Sequence, residues 1–215
     1  MQILIADDHE LMRKGLRTVL ESQPGWKVCG EAVNGRQAVE LARQLTPDVI
    51  VLDVTMPELN GLEATRQIRK ALPKAEVLIL SMHESEQLVS EVLAAGAHGY
   101  IMKADTSRLL VSAVEALSQH KPFFTGKVSE VVLDGYLNRG KVAKGAAGPA
   151  PLLTAREREI VQLLAEGKTN KEVAVRLGVS IKTVDAHRAN VMHKLSLHSV
   201  TDLVRYAIRN KIIEA

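Results

Sequence analysis

The chain has 215 residues and a formal net charge of +3, and its 46% hydrophobic content suits one or two packed globular domains. A bilayer-spanning helix needs roughly 20 apolar residues, which no run approaches, and the N-terminus lacks the basic region of a signal peptide, so we expect a cytoplasmic protein. A single cysteine, Cys29, excludes an internal disulfide.

The first 120 residues alternate short apolar runs with helical patterns. The apolar runs predict five strands, at residues 3–6, 27–31, 49–52, 77–80 and 98–102. The amphipathic stretches between them predict helices near 10–21, 35–45, 61–71, 84–95 and 106–119. Because the strands are apolar almost throughout, both faces of the sheet must be covered. We therefore predict an α/β fold, a doubly wound five-stranded parallel sheet of the flavodoxin type.

This pattern stops after Lys121-Pro122. A short amphipathic helix is expected near 127–138, and residues 139–151 are too rich in Gly, Ala and Pro to bury a core, so they predict a flexible linker. The predicted organisation is a first domain at 1–121, a connecting helix and linker at 122–151, and a second domain at 152–215.

The second domain is predicted to be small and all-α, with helices near 155–166, 170–177, 181–195 and 200–210. Thr154 and Thr169 each precede a glutamate by three residues, which is the pattern of a helix capping box. Only Gly178-Val-Ser separates the second and third helices. That spacing, with its glycine, is typical of a helix-turn-helix.

Acidic and basic residues follow the predicted strands of the first domain where chemistry gathers in an open α/β sheet. Asp7-Asp8 follow the first strand, Asp53 the third, Ser81 the fourth and Lys103 the fifth. Converging carboxylates repel one another unless a hard cation such as Mg²⁺ lies among them. A carboxylate beside that cation is able to act as a nucleophile towards phosphorus, and a lysine and a hydroxyl would neutralise and bind the phosphoryl oxygens.

This constellation resembles the receiver domain of two-component response regulators. The segments that match are Asp7-Asp8, Asp53-Val-Thr-Met-Pro-Glu-Leu-Asn-Gly61, Ser81 and Tyr100-Ile-Met-Lys103. The resemblance implies that Asp53 accepts the phosphoryl group and that Lys103 contacts it. It implies that Mg²⁺ is bound by Asp7, Asp8, Asp53 and the backbone carbonyl of Thr55.

By the same resemblance, Ser81 and Tyr100 would form a pair that switches when Asp53 is phosphorylated. Plainer interpretations stay open: Ser81 would also serve as an ordinary strand-end hydroxyl and Tyr100 as packing at the sheet edge. Likewise, Asp7-Asp8 would serve as a cap of the first helix and Asp53 as the cap of a turn before Pro57. Thr55 and His83 would flank the path of the hydrolytic water and influence the lifetime of the phosphoryl group. Met82, a large side chain beside the pocket, would narrow the access of small phosphodonors.

Charge is distributed unevenly between the two predicted domains. Residues 1–125 contain 13 Lys and Arg against 16 Asp and Glu, whereas residues 151–215 contain 11 against 7. A basic C-terminal part favours a polyanion as its ligand, although a solvated helical face would carry similar charge.

The C-terminal part resembles the LuxR-type helix-turn-helix over about 151–213. The matching segments are Leu153-Thr-Ala-Arg-Glu157, Gly167-Lys-Thr-Asn-Lys-Glu-Val-Ala174, Leu177-Gly-Val-Ser-Ile-Lys-Thr-Val184 and His187-Arg-Ala-Asn-Val-Met-His-Lys-Leu195. Together with the receiver, this points to the NarL/FixJ subfamily. It implies a transcription regulator that is driven by a sensor histidine kinase and binds double-stranded promoter DNA. The resemblance also implies that two copies form a homodimer on DNA through the last helix. RNA polymerase is a further candidate partner.

Helical periodicity predicts how the third helix of this domain meets DNA. Val184, Val191 and Leu195 form an inward stripe, so the opposite face would enter the major groove. The base-reading positions of the family fall at Asp185, Ala186 and Ala189, where Asp185 would accept from cytosine N4. The candidates for phosphate contact are Thr169, Lys171, Ser180, Lys182, Thr183, Arg188 and Lys194.

Two other functions are compatible with parts of this pattern. A phosphohydrolase of the haloacid-dehalogenase type also uses a nucleophilic aspartate and Mg²⁺, but it needs an acid two residues later, where this chain has Thr55. An adaptor whose receiver only binds proteins would lack phosphorylation altogether. We expect no enzyme activity beyond the receiver's own phosphoryl transfer and dephosphorylation.

Overall fold

The computed structural model describes residues 1–82, 85–125, 153–210 and 212–213. The described residues belong to two compact units, one N-terminal and one C-terminal. Their elements agree closely with the predicted ones, because hydrophobic periodicity and capping residues act locally.

The N-terminal unit is a parallel sheet with strands in the order β2-β1-β3-β4-β5-β6. Its strands are β1 (Gln2–Ala6), β2 (Lys27–Ala32), β3 (Val49–Asp53), β4 (Glu76–Ser81), β5 (Gly99–Met102) and β6 (Phe123–Phe124). Its α-helices are α1 (Glu10–Glu21), α2 (Gly35–Leu45), α3 (Gly61–Ala71), α4 (Glu86–Ala95) and α5 (Thr106–Ser118). The prediction of a doubly wound parallel α/β fold is confirmed.

The predicted number of strands was wrong by one, because β6 adds a sixth strand beside β5. Phe123 pairs with Gly99 and Phe124 with Tyr100, both in parallel register. Two residues are too few to produce a periodic pattern, and Pro122 directly before them suggested a loop. The strand forms only because β5 offers an unpaired edge to the chain that leaves α5.

The core of this unit explains why its strands are apolar throughout. Ile3, Val51 and Leu80 point to one face and pack against α1 and α5, while Leu4 and Ile50 are equally buried on the other. The register pairs Asp53 with Leu80, and Ser81 with Met102, at the carboxyl ends of neighbouring strands. This register brings the polar strand-end residues to a single edge of the sheet.

Within residues 153–210, the C-terminal unit has four α-helices around its own apolar core. They are α6 (Ala155–Ala165), α7 (Asn170–Leu177), α8 (Ile181–Lys194) and α9 (Val200–Arg209). Both predicted capping boxes are present, Thr154 with Glu157 and Thr169 with Glu172. Gly178 ends α7 with φ of 63°, a left-handed conformation that glycine adopts without strain.

The predicted helix at 127–138 and linker at 139–151 lie outside the described residues, as does His83. The domain boundaries drawn at 121 and 152 therefore stay predictions. Among the helices that the structure describes, none is both long and apolar enough to cross a bilayer.

Candidate functional site

An acidic pocket lies at the carboxyl ends of β1, β3 and β5. Asp7 follows β1, Asp53 is the last residue of β3, and both are almost completely buried. The Lys103 ammonium, directly after β5, lies 2.8 Å from Asp7 Oδ2 and 2.8 Å from Asp53 Oδ2. A single lysine therefore bridges two buried carboxylates that are 46 residues apart in the sequence.

The charges in this pocket are not balanced by one lysine. Burial raises the pKa of Asp53 to about 6, and the nearby Asp7 adds to the rise, although Lys103 and the Thr55 backbone amide act in the opposite direction. Burial also acts to lower the pKa of Lys103, but the attraction of Asp53 and Asp7 outweighs it and raises that pKa. Lys103 is thus held in its charged form, whereas the attraction of Lys103 does not fully offset the cost of burying the Asp53 carboxylate.

The donor groups of the pocket fit a divalent cation. Ligand atoms of Asp7, Asp8, His9 and Asp53 all lie within 4.8 Å of one another. Three carboxylates facing one ammonium leave excess negative charge, and an oxygen-rich donor set suits Mg²⁺. His9 is a member that the sequence interpretation missed, although it directly follows Asp7-Asp8. Its Nδ1 lies 2.9 Å from Asp8 Oδ1 and its backbone amide donates to Asp7 Oδ1 at 2.8 Å.

Gly61, the first residue of α3, shapes the backbone behind Asp53. Its amide donates to the Val54 carbonyl at 2.7 Å, and a Cβ built on it would overlap the carbonyl oxygen of Asp53. Asn60 caps the same helix by accepting from the Glu63 amide. A residue with a side chain at position 61 would thus push α3 away from the end of β3.

The helix-turn-helix of the C-terminal unit presents one face of α8 to solvent. Val184 and Val191 are completely buried and Leu195 packs against the same core. The residues on the opposite face of α8 and at its flanks are all exposed: Lys182, Asp185, Ala186, Ala189, Asn190 and His193. This is the arrangement of a recognition helix, with one side anchored and the other free to enter a groove.

Comparison with known proteins accounts for both units. The family model of the response regulator receiver domain matches residues 3–115, and that of bacterial regulatory proteins of the luxR family matches residues 151–207. The transcriptional regulatory protein LiaR of Bacillus subtilis is 38% identical over 99% of both chains. The oxygen regulatory protein NreC of Staphylococcus carnosus is 37% identical over the whole of both. The chain is a response regulator of the NarL/FixJ subfamily.

A solved structure of a similar response regulator contains DNA. It is RcsB from Salmonella enterica serovar Typhimurium bound to promoter rprA in the presence of the phosphomimetic BeF3⁻. The regulator described here is 27% identical to it, with a TM-score of 0.60 and coverage of 96% of this chain and 97% of that one.

The two residues predicted to form a switch are both buried in this response regulator. Ser81 ends β4 and is 3% exposed. The Tyr100 ring is completely buried, and its hydroxyl donates to Met102 Sδ at 3.5 Å. Tyr100 is therefore an internal residue of the sheet and not part of an exposed edge. Met82, expected to narrow the pocket, is 61% exposed directly after β4.

The predicted phosphate contacts of the regulator differ in how free their side chains are. Lys171 and Lys182 are exposed, whereas Ser180 accepts from the Thr183 amide as the cap of α8. Lys194 is engaged by its own domain, since its ammonium lies 2.7 and 2.8 Å from the two carboxylate oxygens of Glu157. This pairing makes Lys194 the weakest of these candidates, and no local sequence pattern indicates a contact across 37 residues.

The last helix of the regulator has two apolar sides. Leu203 and Ala207 are buried in the core of the domain. Val200 and Ile208 are 48% and 37% exposed, and Val204, between them, is half-buried. These three residues recur every four positions, so they form an exposed apolar stripe along α9.

Proposed function

We propose that this response regulator accepts a phosphoryl group on Asp53 from a sensor histidine kinase and thereby controls the binding of its LuxR-type domain to promoter DNA. The observation that carries the proposal is the ion pair of buried Asp53 with Lys103, at 2.8 Å, within a cluster of three carboxylates. Such a cluster is costly for folding, which favours a role in chemistry over a structural one.

In the proposed transfer, a carboxylate oxygen of Asp53 attacks the phosphorus of the phosphohistidine. The bond from phosphorus to the histidine nitrogen breaks as the new bond to oxygen forms. The Lys103 ammonium would form an ion pair with one phosphoryl oxygen, and the Ser81 hydroxyl would donate a hydrogen bond to another. Mg²⁺, held by Asp7, Asp8, Asp53 and the Thr55 backbone carbonyl, would neutralise the remaining negative charge when bound.

The same pocket would also hydrolyse the acyl phosphate formed on Asp53. We propose no enzyme activity for the regulator beyond this transfer and dephosphorylation. Thr55 and His83 are proposed to position the attacking water. Their substitution by alanine should change the rate of autodephosphorylation, and unchanged rates would dismiss this role.

The phosphoryl group adds about −1.5 to −2 charges and new acceptor oxygens at the end of β3. We propose that Ser81 moves towards these oxygens and that the buried Tyr100 ring adjusts to the new position of Ser81. Because Tyr100 pairs with β6 through Phe124, the adjustment would reach the edge of the sheet at β6.

On DNA, α8 would lie in the major groove, with Asp185, Ala186 and Ala189 towards the bases. The exposed stripe of Val200, Val204 and Ile208 supports a homodimer formed through α9. Phosphate contacts are proposed for Lys171, Ser180, Lys182, Thr183 and Arg188, whereas the Lys194 ammonium is engaged by Glu157. RNA polymerase is the further partner expected at promoters.

Genome-wide DNA binding by the wild type and Asp53→Ala would test the proposal. We expect the wild type to occupy specific promoters when the kinase is active and the variant to occupy them weakly. In vitro, beryllofluoride should increase DNA affinity of the wild type and leave Asp53→Ala unchanged. Equal affinity with and without beryllofluoride would favour the phosphorylation-independent adaptor.

A further inference from the structure

Asn170 of α7 makes a direct contact with the recognition helix. Its side-chain Nδ2 donates to Oδ1 of Asp185 at 2.6 Å, joining the first residue of α7 to the fifth residue of α8. The cap of α7 does not use this amide, because Thr169 and Glu172 complete the capping box between themselves. The Asn170 side chain is therefore available to α8.

The chemistry of the pair determines its orientation. An ionised carboxylate only accepts hydrogen bonds, so Asn170 must turn its NH₂ group, and not its carbonyl, towards Asp185. The bond occupies one carboxylate oxygen and restricts the rotation of an exposed side chain that would otherwise sample several rotamers. Because an amide is neutral, the negative charge of Asp185 remains.

A carboxylate with this charge is selective in the major groove. It is repelled by the surrounding phosphates and by the acceptor atoms of guanine and thymine, O6, N7 and O4. Cytosine offers the N4 amino group with no acceptor beside it on the same base, whereas the N6 amino group of adenine lies next to the N7 acceptor, so cytosine offsets more of this repulsion. Ala186 and Ala189, the other two base-reading positions, have no polar side-chain atoms with which to compete.

We infer that Asn170 is a positioning residue for DNA specificity: it holds Asp185 so that the regulator selects cytosine at one position of each half-site. The inference rests on the proposed DNA-binding function and deepens it. It makes specificity depend on a pair of residues from both helices of the helix-turn-helix, and not on the recognition helix alone.

The test is selection from a randomised double-stranded DNA library by the full-length protein with beryllofluoride and Mg²⁺. We expect the wild type to enrich cytosine at one position per half-site, and Asp185→Ala to lose that preference. Asn170→Ala should lower the enrichment at this position by about three- to tenfold, the range expected for one hydrogen bond, and leave other positions unchanged. Combining both substitutions should give the base preferences of Asp185→Ala alone.

Val175→Ala is the matched control, because Val175 lies on the same helix with a side chain that is 77% exposed. This control should keep the base preferences of the wild type. Thermal unfolding of each variant provides a second readout, and we expect Asn170→Ala to melt close to the wild type.

Two outcomes would overturn the inference. One is an Asn170→Ala variant with undiminished cytosine preference, and the other is a variant whose affinity falls equally at every position, which would indicate a structural role. A wild type that selects no DNA sequence at all would instead refute the proposed function itself.

Discussion

Gly61 lies so close to the backbone carbonyl of Asp53 that no side chain fits between them. The obstacle is backbone and not the end of a flexible side chain, so neighbouring residues cannot simply rotate away. Gly61 thus holds α3 against the end of β3, where the proposed phospho-acceptor is located.

Gly61→Ala should therefore move the Asp53 backbone and destabilise the receiver by about 1–3 kcal/mol, as overpacking in a core does. Phosphorylation by acetyl phosphate should slow as well. Denaturant unfolding and phosphoprotein electrophoresis would measure the two effects. Gly15→Ala is the control, since an added Cβ on this exposed residue of α1 meets nothing within 4 Å. If both variants unfold at the same denaturant concentration, the close approach has no energetic consequence.

The pKa of Asp53 predicts how stability depends on pH without metal. Because the folded-state pKa is raised to about 6 from 3.8, the folded protein binds more protons than the unfolded chain between these values. The free energy of unfolding should consequently fall as pH rises from about 4 to about 6, by roughly 2–3 kcal/mol in total. Asp53→Asn, which does not titrate, should lack this decrease.

Urea unfolding in EDTA at a series of pH values would measure this dependence. Mg²⁺ should reduce it, because the cation stabilises the carboxylate form of Asp53 and lowers its pKa. Superimposable curves for wild type and Asp53→Asn in EDTA would contradict the prediction.

Lys194 and Lys182 should behave differently when each is replaced by alanine. Lys182 is exposed and proposed to contact a phosphate, so Lys182→Ala should reduce the salt dependence of DNA binding by about one counterion. Lys194→Ala should leave the salt dependence unchanged and destabilise the DNA-binding domain by about 1–3 kcal/mol, because it leaves the buried Glu157 without its ammonium. DNA titrations at several salt concentrations, with thermal unfolding, distinguish the two.

The Glu157 pair also implies a pH dependence. Burial acts to raise the pKa of Glu157, but the hydrogen bonds from Lys194 and Thr154 outweigh it and lower that pKa below 4.5. The pair therefore stabilises the domain above the unfolded-state value, and this contribution is lost as pH falls through the lowered pKa. A Lys194→Ala variant whose stability parallels the wild type down to acidic pH would refute this.

Val204→Asp should prevent dimerisation through α9 without unfolding the domain, since Val204 is on the exposed stripe and not in the core with Leu203. A charge there would have to be desolvated in an apolar interface. Sedimentation with beryllofluoride and DNA should show one protomer per half-site and no cooperativity. Val175→Asp, a similar change at an exposed valine of α7, should dimerise normally. An equal loss in both variants would place the interface elsewhere.

Local sequence patterns predicted both folds, every described strand and α-helix except β6, and most of the acidic pocket. Periodicity and caps such as Thr154 and Thr169 depend on neighbours three or four residues away, so they are legible in the chain. Asp7, Asp53 and Lys103 were predictable as a group for a different reason: parallel strands bring their carboxyl ends to the same edge.

Contacts that carry no local sequence pattern became visible only in the folded chain. The two-residue strand β6 exists only because β5 has a free edge, and Gly61 is required only because α3 closes on Asp53. Lys194 reaches Glu157 across 37 residues and Asn170 reaches Asp185 across 15. Each depends on how packed elements orient side chains towards one another, and sequence spacing does not encode that orientation.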